Sequence, residues 1–139
     1  MCRFSPLFPR LELIVGDIQT AEVEFSPVEL IFVGLVLEYV DIAATLKRIR
    51  ILLNGGGILG TVVQLPNPEI ADITPSKFVS LRSLAPLMRL VRPEQLRNLA
   101  EQLDYCEISS WKVESRGGKQ FQVQEFRLLT PKEVQPGRK

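Results

Sequence analysis

Residues 30–37 read LIFVGLVL, apolar at nearly every position. A strand with one wet face alternates apolar and polar side chains, whereas a strand that does not alternate is covered on both faces, as in a parallel sheet carrying helices on each side. The segment is therefore expected to be a central strand, and the chain an α/β protein. The next residues agree with this. Asp41 stands where a helix N-cap belongs, and Ile42, Leu46, Ile49 and Leu53 repeat at helical spacing with Lys47, Arg48 and Arg50 between them, a cluster read as a solvated helix face. Residues 58–65, ILGTVVQL, supply a second mostly apolar strand.

Between helix and strand lies NGGG, residues 54–57. Phosphate-cradling glycine loops run from a strand into a helix, where unpaired N–H groups and the positive end of the helix dipole await an anion. Here the glycines follow a helix, whose carbonyl end repels phosphate, so they are expected to form a C-cap and tight corner.

Upstream, residues 11–15 (LELIV) form a short β-prone run ending in Gly16-Asp17, and residues 18–27 are a polar connector. Downstream, Thr74-Pro75 is a cap followed by proline at the first helical position, and Pro86 interrupts the helix it starts. Pro93 opens another helix with Leu96, Leu99, Ala100 and Leu103 as its buried stripe. Residues 106–115 and 119–129 read as two strands joined by Arg116-Gly117-Gly118, a hairpin signal. Their alternation changes parity near Ser109-Ser110 and near Glu125, predicting bulges there, and Cys106 is read as a buried strand residue. Residues 1–130 form one domain, and residues 131–139 a disordered tail.

Composition removes several classes of function. A formal net charge of +1 lacks the basic excess that polyanion binding leaves, so no nucleic acid or membrane partner is expected. The longest apolar run is far shorter than the roughly 20 residues a bilayer span needs. The start carries no export signal, and two cysteines, Cys2 and Cys106, do not suggest a disulfide, so a reducing cytoplasm is the expected location. Histidine is absent, which excludes His-based triads and His-containing metal sites. No metal site is expected.

The order strand, Gly-Asp, connector, apolar strand, helix, glycine corner, strand, helices and antiparallel hairpin resembles the C-terminal part of class I S-adenosylmethionine-dependent methyltransferases. LIVGDI resembles the third strand and its acidic turn, VELIFVGLVLEYVD the fourth strand and following loop, and LNGGGILGTVVQLP the corner and fifth strand. The resemblance runs from Leu11 to Leu129. It implies a Rossmann-like, mostly parallel sheet in the order three, two, one, four, five, seven, six, with a C-terminal antiparallel hairpin. The family's glycine-rich donor loop and ribose-binding acid belong to the first two βα units. Those units take about 60 residues, and only ten precede Leu11. With strands one and two missing, the fourth strand has an unpaired edge, from which a homodimer or strand-swapped oligomer is expected.

The resemblance also implies roles. Asp17 and Ile18 match the turn contacting the donor's adenine; an Asp that merely ends a strand is the competing reading. Gly34, Leu35 and Val36 match the loop along the donor's methionine part, against simple core packing. Glu38 and Tyr39 lie past the carboxyl end of the apolar strand, where open α/β sheets bind ligands, and are the candidates for substrate contact or proton handling. Their competing reading is a surface Glu beside a half-buried Tyr. Gln64, ending the next strand, is a further pocket residue. Residues 66–90 resemble the family's substrate-covering insert, with Arg82 and Arg89 as anion contacts or solvated helix charges. The implied function is S-adenosyl-L-methionine-dependent methyl transfer to a small molecule; a non-catalytic interaction module is the alternative. Methyl transfer depends mainly on in-line positioning, so the missing histidine is no obstacle.

Overall fold

The computed structural model describes residues 9–67 and 83–134. Four strands form one sheet: β1 (Val28–Gly34), β2 (Leu53–Gln64), β3 (Tyr105–Glu114) and β4 (Gln120–Leu128), in the order β1-β2-β4-β3. β1 and β2 are parallel, and β4 is antiparallel to both its neighbours. This is the expected four, five, seven, six segment of the Rossmann-like order. The crossover from β1 to β2 is the helix α1 (Ile42–Leu52), and α2 (Pro93–Gln102) precedes the hairpin.

Asp41 caps α1 as its position predicts, its Oδ1 accepting from Ala44 N at 2.8 Å. The apolar stripe then lands on the sheet: Leu46 and Ile49 of α1 and Leu96 and Ala100 of α2 are fully buried against Val33, Leu59, Val63 and Phe126. Burial of each large apolar side chain contributes on the order of 1.5–3 kcal/mol. Tyr105 fixes the first turns of α1 relative to the hairpin by donating from its hydroxyl to Leu46 O at 2.7 Å. Its burial raises the phenol's pKa, so the donor proton stays in place throughout the ordinary pH range.

The cationic helix face is less simple than its sequence suggests. Arg48 Nη2 donates to Val23 O at 2.9 Å, tying the connector to α1. Arg50 lies 2.6 Å from the carboxylate of buried Asp104. Lys47 is exposed, as the solvated reading has it.

Several expectations are corrected. Residues 11–15 take up no strand and lie exposed, because no strand among the described residues offers them a ladder. The LIFVGLVL segment contributes the edge strand β1 rather than a sandwiched central one, with Leu30 and Phe32 65% and 68% exposed on the face opposite the helices. The NGGG segment is not a left-handed helix cap. The C-cap is Leu53 in extended geometry, and the glycines already belong to β2. They bulge where Val28 pairs with Leu53 and Leu30 with Ile58, so the extra residues sit on β2. Gly56, at φ +83, takes the left-handed turn, and a Cβ on Gly57 would come within 2.8 Å of Asn54 O.

Only one of the two bulges predicted in the hairpin exists, between Glu107 and Ser109 of β3. The parity change near Glu125 has another cause. Burial along β4 alternates without a break, but its inward positions include Gln122 and Gln124, while Val123 faces outward. Gln124 Nε2 is satisfied by Glu107 Oε2 at 2.7 Å and Pro93 O at 3.1 Å, and Gln122 donates to Ser110. Cys106 is exposed because its neighbour Tyr105 takes the inward position. Pro86 lies in a short 3-10 turn, Ala85–Leu87; the helix expected from Thr74 lies outside the described residues. Of the tail expected to be disordered, Pro131–Val134 forms a helical turn, α3, clamped by Arg127 on Glu133 at 2.8 and 3.0 Å. No helix among the described residues is long and apolar enough to cross a membrane.

Asp41→Ala is expected to cost about 1 kcal/mol of stability in urea unfolding, the ordinary loss of a helix cap. Hydrogen bonds from Arg127 and Thr130 hold Glu133 down to a pKa of about 2, from an ordinary 4.5. The clamp's contribution is therefore complete above the ordinary value and is lost only as pH falls through about 2. A carboxyl NMR titration midpoint near the ordinary Glu value would contradict it.

Candidate functional site at the carboxyl ends of the parallel strands

β1 ends at Gly34, and the next residue is strained. Leu35 has φ +57, left-handed geometry that costs a non-glycine residue about 1–2 kcal/mol. Its N–H donates to Val62 O at 2.9 Å, extending the parallel pairing one residue past the strand. The 3-10 turn Leu37–Tyr39 then drives Glu38 inward, to 2% exposure.

Glu38 joins the two strand ends. Its Oε1 accepts from Gln64 N at 2.8 Å, at the last residue of β2, and its backbone carbonyl accepts from Arg89 N at 2.8 Å. The other carboxylate oxygen, Oε2, is buried and has no hydrogen-bond partner among the described residues. Tyr39 beside it is half-buried. Burial first, and the Glu38 charge second, push its phenol pKa up, so it is a neutral hydroxyl at neutral pH.

The Asp17 turn reaches this place through Gln19. Asp17 Oδ1 accepts from Gln19 N at 2.8 Å and Gln19 Nε2 at 3.0 Å, and those bonds lower the carboxyl's pKa. Gln19 Oε1 in turn accepts from Asp41 N at 2.8 Å, so the turn is fastened to the start of α1. A cavity of about 340 Å³ is lined by Gln19, Glu38, Tyr39, Val40, Asp41, Pro86, Leu87 and Arg89.

Glu38, Tyr39 and Arg89 thus share one cavity, Gln64 is joined to it through its amide, and Asp17 is joined through Gln19. Ile18 is half-buried in the same turn, while Leu35 and Val36 are exposed past the end of β1. The core-packing reading fails for these last two. The surface reading of Glu38 fails as well, since the side chain is buried; the half-buried Tyr39 is as that reading had it. A Cβ on Gly34 would meet the Phe32 ring at 2.8 Å, a flexible neighbour. Arg82 lies outside the described residues. Sequence reasoning missed Gln19, whose long-range bond has no local signature, and the left-handed backbone of Leu35.

A larger cavity of about 890 Å³ lies on the sheet face opposite the described helices, lined by Leu30, Phe32, residues 54–58, Gly60, Trp111 and Val123, with Glu29 and Glu125. It contains none of the candidate residues, and its size reflects an open apolar face. Among the described residues no three His, Cys, Asp or Glu side chains gather as metal ligands.

No family model matches the sequence, and no curated protein matches it significantly. Solved structures do. The chain aligns with the [4+2]-cyclase SpnF at TM-score 0.67 and 13% identity, over 92% of this chain and 59% of that one. It aligns with a sarcosine dimethylglycine methyltransferase from Galdieria sulphuraria at 0.57 and 11%, over 82% and 58%. With geranyl diphosphate C-methyltransferase from Streptomyces coelicolor A3(2), solved with Mg2+, geranyl diphosphate and S-adenosyl-L-homocysteine, the values are 0.59 and 14%, over 83% and 51%. The chain therefore spans between about half and three-fifths of the length of these structures.

The strain at Leu35 is measurable. Leu35→Val, which puts a β-branched residue at positive φ, is expected to be less stable than Leu35→Gly by more than about 1 kcal/mol in denaturant titration. Equal stabilities would show that the left-handed geometry is not held.

Proposed function

Starting from a chain with the fold of class I S-adenosylmethionine-dependent methyltransferases, we propose that it serves S-adenosyl-L-methionine-dependent methyl transfer to a small molecule. The observation that carries the reading is topological. The chain aligns with the methyltransferase structures over most of its own length. At the carboxyl ends of its parallel pair, where open α/β sheets bind ligands, stand the strained Leu35, the buried Glu38, Tyr39 and the end of β2.

The residues present suit part of the donor. Asp17 is exposed and held ionised by Gln19, so its carboxylate accepts from the exocyclic amine of an adenine, with half-buried Ile18 beside it for the ring. Gly34 and the exposed Leu35 and Val36 border the methionine part. When bound, the sulfonium donor supplies an already activated methyl group, which leaves the protein to bind and orient the acceptor. Glu38 and Tyr39 touch the acceptor and hold its proton, Gln64 closes the pocket, and Arg89 belongs to its cover.

SpnF, a [4+2]-cyclase, shows that this architecture accommodates other chemistry. Donor binding is what distinguishes the readings. Calorimetric titration with S-adenosylhomocysteine is expected to give a micromolar dissociation constant, weakened about tenfold in Asp17→Ala by loss of a charge-assisted hydrogen bond. Silence at millimolar ligand would contradict the assignment.

The free edge of β1 and the exposed Leu30 and Phe32 also favour self-association of the isolated chain as a homodimer. Sedimentation is expected to show a concentration-dependent dimer that Phe32→Glu dissociates; a monomer at high concentration would contradict this.

A further inference from the structure

Glu38 is the one site residue whose bonding is half finished. Its burial takes both carboxylate oxygens out of water, yet only Oε1 has a donor, the Gln64 amide at 2.8 Å. Oε2 has none. A buried carboxylate oxygen without a partner is unfavourable, and natural proteins keep such groups rare; where one persists, a ligand or ordered water completes it. Glu38 lines the cavity of about 340 Å³, a volume at the small end of ligand pockets.

The surroundings select the kind of partner. An acceptor-only oxygen needs a donor. Among the described residues the other charged ones lining the cavity are Asp41 and Arg89, so with Glu38 it has two acidic residues and one basic. Asp41 already uses Oδ1 on Ala44 N as the helix cap. Arg89 is exposed, and its backbone N–H is spent on the carbonyl of Glu38. A cationic N–H donor gains from this balance, a neutral hydroxyl gains only the hydrogen bond, and an anion is repelled. The neutral phenol of Tyr39 adds a second polar group able to accept from the same ligand.

We infer that the cavity at Glu38 seats the amine of the acceptor substrate, with a protonated or N–H-bearing nitrogen donating to Oε2. This assigns an amine as the acceptor class: an ammonium would give one proton to Glu38 Oε2, and the freed nitrogen lone pair would form the N–CH3 bond as the donor's S–CH3 bond breaks and its electron pair stays on sulfur. The assignment rests on the methyltransferase reading above, but its test is read separately from donor binding. Pro86, Leu87 and Arg89 also line the cavity.

The test uses the full chain and three probes of one shape: propylammonium, propanol and propionate, titrated by NMR while following the Gln64 amide and the Tyr39 ring. Propylammonium is expected to bind at least tenfold more tightly than propanol, and propionate not at all. Glu38→Gln, whose side-chain oxygen still accepts from Gln64 N, is expected to weaken propylammonium at least tenfold. Arg89→Gln is expected to tighten it, and this provides a second readout should Glu38→Gln unfold. Equal binding of propanol and propylammonium, tighter binding of propionate, or weaker ammonium binding in Arg89→Gln would overturn the assignment. So would no binding of propylammonium, which would leave an ordered water as the partner of Oε2. Ammonium indifference alongside S-adenosylhomocysteine binding removes the amine assignment alone; the reverse pattern removes the donor reading alone.

Discussion

Parallel pairing of β1 with β2 is the constraint on which the rest of this structure depends. Two parallel strands cannot be joined by a turn; they require a crossover, and α1 is that crossover. One consequence is that α1 packs on one face of the sheet, where its Leu46 and Ile49 make the core with Leu96 and Ala100 of α2. A second is that both strands deliver their carboxyl ends to the same edge of the sheet. The Glu38–Gln64 bond locks that edge, because it satisfies an amide beyond the last rung of the parallel ladder with a side chain from the other strand's exit turn.

Much of this was legible in the sequence, wherever a residue's role is local. The Asp41 cap and the stripe of α1 follow from hydrogen-bonding chemistry and helical spacing, and the sheet segment and the hairpin joined by Gly117-Gly118 follow from the order of elements. The failures share a cause, which is that they depend on partners. Residues 11–15 have the composition of a strand but nothing to pair with. LIFVGLVL has the apolarity of a doubly covered strand, yet among the described residues only one of its faces meets helices. Gln122 and Gln124 look like outward residues because polarity normally marks the wet face; here their Nε2 groups find acceptors inside, on Ser110, Glu107 and Pro93 O. For the candidate site, Glu38 and Tyr39 were found from the position of a strand end. Gln19 and the left-handed turn at Leu35 were not, since neither a contact across 22 positions nor a positive φ at leucine leaves a trace in the residue order.

The two faces of the sheet divide the molecule's properties. The helix-covered face holds the core and supplies stability, and the carboxyl edge carries the polar groups. The other face presents Leu30, Phe32, Trp111 and Val123 around the glycine bulge, an apolar surface of the kind that proteins ordinarily cover. The large cavity lies there, whereas Glu38, Tyr39 and Arg89 line the smaller one at the carboxyl ends of the parallel strands. The smaller cavity is lined by both Glu38, with its buried acceptor oxygen, and Tyr39, with its neutral hydroxyl.

The most direct test of this account is hydrogen exchange at the Gln64 amide. In the native chain that amide is expected to be protected nearly as well as those of residues 59–61 in mid-strand. In Glu38→Ala it should exchange like an open loop position while residues 59–61 stay protected. A Gln64 amide that exchanges freely in the native chain would mean that Glu38 does not bridge the strand ends, and the site built on that bridge would not exist.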